Sequence, residues 1–230
     1  MKGNDLFSGA FHAAAGDYVY LLEREYPQKS LIKVVGDRYG LNRRQRHVLY
    51  RGFTSTADSL RRRARLVDSV TGRTVHLDAY NVLITIMNHL LGNPLFICSD
   101  GILRDVGENR GRIRDGARFH RAMKLLCSWL EEHNPAEVRA VFDSPVSHSA
   151  EHAVMMDGMM RSIHMAGSTE LAHSADHVIK KSPGGVIATS DSVIIDATDL
   201  PVIDIPRLVL ESSFNTSFPD LRDQAESRTT

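Results

Sequence analysis

The chain reads as an α/β protein with a central, mostly parallel sheet, preceded by a small helical domain. Three observations point that way. From Thr71 onward, short runs rich in β-branched residues alternate with helical stretches, as in strands joined by crossover helices. The preceding part reads as helical, with apolar residues at helical spacing. Charge divides the chain at the same place. Residues 1–66 carry thirteen Lys/Arg and six Asp/Glu, a net of +7; of the 28 and 28 in the whole chain this leaves fifteen and twenty-two, a net of −7. A basic segment suits a polyanion and an acidic one suits cations, although two patches attracting each other within the fold would give the same split.

The expected division is a basic helical domain over residues 1–66, an α/β domain over 67–218 and a polar, disordered tail over 219–230. The first helix spans Phe11 to Tyr26 and stops at Pro27. Ser30 is the expected N-cap of a second, Leu31 to Arg38. Gly40-Leu41-Asn42 breaks the pattern, and a third helix over Arg43 to Tyr50 opens with Arg43, Arg44 and Arg46. A helix, a short glycine-containing turn and an arginine-rich helix have helix-turn-helix character. The basic run Arg61-Arg62-Arg63 follows, either a solvated helix face or a set of phosphate contacts.

Strands are expected at Thr74–Leu77, Leu95–Cys98, Val138–Phe142, Gly185–Thr189 and Val202–Ile205, with a short one near Thr169–Ala172. Helices fill the gaps: Asn81 to Leu91, Arg118 to Glu132, and a methionine-rich one from His148 to Met165 that reads as packing filler. Cys98 and Cys127 fall in a buried strand and an amphipathic helix, as core thiols rather than a disulfide or zinc site. No apolar run approaches the roughly 20 residues of a membrane span. The N-terminal stretch is interrupted by His12 and Asp17, which excludes a signal-peptide reading, so a cytoplasmic protein with no membrane partner is expected.

The aspartates carry the chemistry. Asp78, Asp143 and Asp191 each follow a predicted parallel strand, and ligand sites of open α/β sheets lie beyond those ends. Asp176 stands at the start of another helix, where its charge suits the helix dipole. Any one of them reads equally as a cap or turn former. Together they would repel one another unless a cation neutralised them. Hard oxygen donors suit Mg²⁺ or Mn²⁺, and such an ion activates water against a phosphodiester.

The motifs Asp78-Ala79-Tyr80-Asn81, Val141-Phe142-Asp143-Ser144, Ser174-Ala175-Asp176 and Thr189-Ser190-Asp191 resemble, in order and spacing, those of the NYN branch of PIN-like ribonucleases. The resemblance covers about residues 74–210. The whole chain also resembles an uncharacterised prokaryotic family that joins a basic helical N-terminal domain to a PIN-like domain. It implies a three-layer PIN-like fold, Mg²⁺ or Mn²⁺ held by Asp78, Asp143, Asp176 and Asp191, and cleavage of RNA. Asn81 would orient Asp78 or a metal-bound water, and Thr189 and Ser190 would hydrogen-bond a ligand carboxylate or a phosphate. Domains of this kind often dimerise, so RNA and a homodimer are the partners it allows; no small-molecule cofactor is expected.

Ala79 departs from the glycine usual in the first motif. Asp100 ends a strand as an extra site residue or as the first residue of an Asp-Gly turn, and Asp196 is a supplement to Asp191 or ordinary surface. His148 and His152 lie one helical turn apart, a spacing open to joint metal binding or to simple solvation. Arg43, Arg44, Arg46, Arg61, Arg62, Arg63, Arg112 and Arg114 are the candidate RNA contacts. The competing functions are a non-catalytic RNA- or ribosome-binding protein and a DNA-binding regulator acting through the N-terminal helices.

Overall fold

A computed structural model describes residues 6–107, 113 and 115–222. In chain order its elements are α1 (Gly9–Leu22), α2 (Gln28–Arg38), α3 (Arg43–Gly52), α4 (Thr56–Arg63), β1 (Leu66–Val67), β2 (Thr74–Asp78), α5 (Ala79–Leu90), β3 (Leu95–Ile97), β4 (Leu103–Asp105), α6 (Gly116–His133), β5 (Glu137–Asp143), α7 (Ser149–Ser162), β6 (Gly167–Ala172), α8 (Ala175–Ile179), β7 (Val186–Ala188), α9 (Ser192–Ile195), β8 (Val202–Ile203) and α10 (Ile205–Phe214). They divide into two compact units. One joins Met1–Ala64, Asn93–Glu108 and Phe218–Thr230; the other joins Arg65–Gly92 and Asn109–Ser217.

In the helical unit local capping fixes where helices begin. Asn42 and Gln45 cap α3 reciprocally, each side chain accepting the other's backbone N–H at 3.0 Å. Ser8 and Ser55 cap α1 and α4 in the simpler one-way manner. Ser30, expected as an N-cap, lies inside α2, which starts directly behind Pro27. One buried cluster unites Phe11, Tyr18, Val35, Leu49 and Phe53 with Phe96, Cys98 and Leu221.

Two expectations change here. Leu95–Cys98 is no parallel strand: β3 pairs antiparallel with β4 in a separate two-stranded sheet, Leu95 opposite Asp105 and Ile97 opposite Leu103. The Asp100-Gly101 turn makes this possible, because Gly101 takes φ +82° without a Cβ in the way. Residues 219–222 are also not a free tail. Ile97 N–H donates to the Pro219 carbonyl at 2.8 Å, Leu221 N–H donates back to Ile97 at 2.9 Å, and Leu221 is buried. Residues 223–230 lie outside the described residues.

The second unit holds a six-stranded sheet in the order β1-β8-β7-β2-β5-β6, with every pairing parallel. The chain runs outward from β2 through β5 to β6, then returns to β7 and β8 on the other side. The order therefore reverses at β2, and crevices beyond the carboxyl ends at such a reversal take ligands. Gly185 leads into β7 at φ +95°, where a Cβ would meet the Thr74 carbonyl at 2.4 Å.

Successive strand residues point to opposite faces, which separates the layers. Val141 and Ile187 pack with Ala175, Ile179 and Ile194 of α8 and α9. On the other face Phe142 meets Tyr80 of α5 edge-on at 5.2 Å, and Tyr80 stacks on Phe119 of α6 at 6.1 Å. Helices α7 and α10 complete that layer against α6. The result is the expected three-layer α/β arrangement. Met156 and Met160 of α7 and the Cys127 thiol are buried within it. No described helix is long and apolar enough to cross a membrane.

Candidate functional site

Asp78 closes β2 and caps α5. Its Oδ1 accepts the Asn81 N–H at 3.4 Å and its Oδ2 accepts the Thr189 hydroxyl at 2.8 Å. Thr189 in turn accepts the Asp191 N–H at 3.1 Å, so one hydroxyl ties the end of β2 to the turn after β7. Only 5% of Asp78 is exposed. Burial above all lifts its carboxyl from 3.8 to about 7, and the charges of Asp143 and Asp191 add to the rise against the donors Thr189 and Asn81.

Asp143 ends β5 and accepts the Ala175 N–H at 2.9 Å, anchoring the start of α8. Asp191 accepts the Val193 N–H at 2.8 Å as the cap of α9. Asp176 is the second residue of α8. Burial first, then the charges of Asp191 and Asp143, raise its pKa, while the Lys180 ammonium 3.9 Å away lowers it. The sequence-predicted aspartates thus share one electrostatic neighbourhood at the carboxyl ends of β2, β5 and β7. Among the described residues, however, no three His, Cys, Asp or Glu side chains converge as a ready-made metal-holding set.

Asn81, expected to orient Asp78 or a metal-bound water, reaches Asp78 through its backbone N–H and directs its side-chain oxygen to Ser190. That oxygen accepts both the backbone N–H and the hydroxyl of Ser190, at 2.8 and 2.9 Å, and so clamps the turn after β7 onto α5. Lys180 was missed by the sequence reading; its i+4 spacing from Asp176 was the available signal. Asp196 stands at the far end of α9 from Asp191.

Asp100 does not join the cluster. It lies in the helical unit, 1% exposed, accepting two bonds from Arg104 at 2.8 Å each and one from Arg62 at 3.0 Å. Burial works to raise its pKa, yet Arg104 and then Arg62 hold it below the ordinary value. Arg62 is therefore a buried structural partner rather than an RNA contact. Arg46 is also built in: it donates to the Leu41 carbonyl at 2.8 Å, pairs with Asp37 at 2.8 Å, and lies where a Cβ on Gly36 would collide with it. Arg61 pairs with Asp58 along α4, Arg63 and Arg44 are partly buried, and Arg43 is exposed. Arg112 and Arg114 lie outside the described residues.

Comparison with known proteins gives the family. Residues 10–65 match the family described as Protein of unknown function (DUF434), and residues 67–208 match the one described as Domain of unknown function (DUF5616). A relative from Methanocaldococcus jannaschii, Uncharacterized protein MJ0935, is 28% identical over 197 residues, which is 84% of this chain and 92% of that protein. No solved structure matches. With more than half its length matched by one family, and a helical segment of a second family before it, the chain belongs to the family of Domain of unknown function (DUF5616) proteins.

Proposed function

We propose that the α/β unit is a PIN-like, divalent-metal-dependent ribonuclease whose site is the cluster of Asp78, Asp143, Asp176 and Asp191. The observation that carries this reading is the placement of three aspartates at the carboxyl ends of β2, β5 and β7, on both sides of the strand-order reversal. Sequence resemblance supports RNA as the substrate, and the basic first 66 residues suit a polyanion.

The donor set fits a hard divalent cation in its chemistry. Asp143 and Asp191 each use one carboxylate oxygen as a cap and have no partner on the other among the described residues. In geometry no three of these side chains converge among the described residues, so a shared ion would require them to close up. A bound Mg²⁺ or Mn²⁺ would supply an activated water and a polarised phosphate. The chain's own part is to hold the acceptors. Thr189 keeps Asp78 and the turn before Asp191 in register, and Asn81 fixes Ser190 beside them.

A second reading has one observation in its favour: Asp78, Asp143 and Asp191 each accept a backbone N–H at the start of a helix, so all three have structural work without any metal. That reading makes the unit a non-catalytic RNA- or ribosome-binding domain. Incubation of the purified protein with single-stranded RNA and Mn²⁺ separates the two. Nuclease function predicts cleavage that chelation stops and that Asp191→Asn abolishes. Equal cleavage by wild type and Asp191→Asn would sink it.

A further inference from the structure

His148-Ser149-Ala150-Glu151-His152 opens α7, and its two histidines are arranged more tightly than surface residues need to be. His152 is half-buried against Phe119, 4.6 Å between ring centres, and its Nδ1 lies 2.9 Å from the Tyr80 hydroxyl. His148 places its Nδ1 3.1 Å from the Glu151 carboxylate. Each imidazole therefore has one nitrogen engaged with oxygen, and each Nε2 has no partner among the described residues. An oxygen partner on the far nitrogen is the usual support of a metal-ligating histidine, because it fixes ring and tautomer.

The backbone adds a second observation. His148 occupies the N-cap of α7 at φ +65°, ψ +20°, yet its side chain caps nothing. A left-handed non-glycine residue costs on the order of 1 kcal/mol or more, and here no capping bond offsets it. The conformation instead brings the two rings to 6.4 Å between centres. Two Nε2 atoms sharing one ion at about 2.0–2.1 Å would put the ring centres roughly 5 Å apart. The exposed His148 ring has the freedom to close that gap, whereas His152 is held. Burial also lowers the pKa of His152, which favours the neutral form that ligation requires.

We propose that His148 and His152 form a binding site for a borderline divalent cation of the zinc class, with Tyr80 and Glu151 orienting the two imidazoles and water filling the remaining positions. Imidazole pairs favour Zn²⁺, Ni²⁺ or Cu²⁺ over Mg²⁺ or Mn²⁺, so this site differs in chemistry from the all-oxygen aspartate cluster. Because Tyr80 lies two residues from Asp78, the ion would also stiffen the start of α5. The proposal does not depend on nuclease activity.

Titration of the full-length protein with Zn²⁺, in millimolar Mg²⁺ to fill hard oxygen sites, tests it by calorimetry. Wild type should take up one equivalent that His148→Ala and His152→Ala each lose. Tyr80→Phe, which keeps the ring but removes the hydroxyl, should weaken uptake by about tenfold or more. Asp78→Asn and Asp191→Asn should bind Zn²⁺ as wild type does, which keeps this result separate from the cleavage assay. Absence of Zn²⁺ uptake by the wild type, or equal uptake by the folded His148→Ala/His152→Ala double variant, would overturn it.

Discussion

Asp78→Asn should stabilise the protein at alkaline pH while ending its proposed activity. In the folded protein the Asp78 carboxyl titrates near 7, against 3.8 ordinarily, with burial the main cause. Between those values the native state holds a proton that the unfolded chain has released. Stability is therefore present at low pH and falls as pH rises through that window. At about 1.36 kcal/mol for each pH unit, the full penalty is on the order of 4 kcal/mol, more than half of which falls between pH 5 and 8. Asparagine keeps the acceptor for the Asn81 N–H and carries no charge, so the variant lacks this dependence. Refitting the Thr189 hydroxyl adds an offset of about 1 kcal/mol that does not change with pH. Thermal unfolding of both proteins at pH 5 and pH 8 measures the difference, expected at roughly 5–10 °C in midpoint between the two pH values for a unit of this size. Saturating Mg²⁺ at pH 8 should raise the wild-type midpoint and leave the variant nearly unmoved, since a ligand at about 100 times its Kd contributes about 2.7 kcal/mol. Parallel pH profiles for the two proteins would refute the account of Asp78 as a carboxylate held against its ionisation.

Four further variants have defined outcomes. Asp100→Ala leaves Arg62 and Arg104 buried without their shared carboxylate, so urea denaturation should show a loss of about 3–5 kcal/mol; a loss below about 1 kcal/mol would mean that water replaces the carboxylate. Leu221→Ala removes a side chain that is 1% exposed in the core of the helical unit and should lower stability by about 2–5 kcal/mol, whereas a true tail residue would cost nothing. Replacing Arg43 with Ala should reduce the salt dependence of RNA binding with the fold intact, while Arg46→Ala should chiefly lower the unfolding midpoint, because its guanidinium holds the turn between α2 and α3.

The aspartates were legible because a buried parallel strand is a continuous apolar run, and the polar residue ending it is easy to see. Val75-His76-Leu77-Asp78 and Val138 to Asp143 have this form, and the structure places both as neighbouring central strands. Leu95-Phe96-Ile97-Cys98 has the same apolar form, but periodicity says nothing about which strand lies alongside. The discriminating signal was local: Asp100-Gly101 between two apolar runs is the mark of a hairpin. The inward turn of Arg62 was hidden for another reason. Consecutive residues on a helix point 100° apart, so Arg61 pairs outward with Asp58 while Arg62 turns inward to a carboxylate 38 positions away. No local pattern contains that partner.

Capping and metal binding are not rival uses of the same atoms. A cap needs one carboxylate oxygen, and Asp143 and Asp191 each commit only Oδ1 to a backbone N–H. Such a cap fixes the side-chain rotamer, and with it the direction of the second oxygen, at no further cost in conformational entropy. A helix start at the carboxyl end of a strand is therefore a suitable mount for a metal-directed carboxylate. Each of the four also has a partner that limits mutual repulsion: three accept backbone N–H groups, and Asp176 has Lys180. The distinction between a structural and a catalytic aspartate then lies in charge rather than in hydrogen bonding. Asparagine preserves the cap and removes the charge, whereas alanine removes both. At Asp143 and Asp191 a nuclease must lose activity with either residue, but a merely structural carboxylate should tolerate asparagine and object only to alanine.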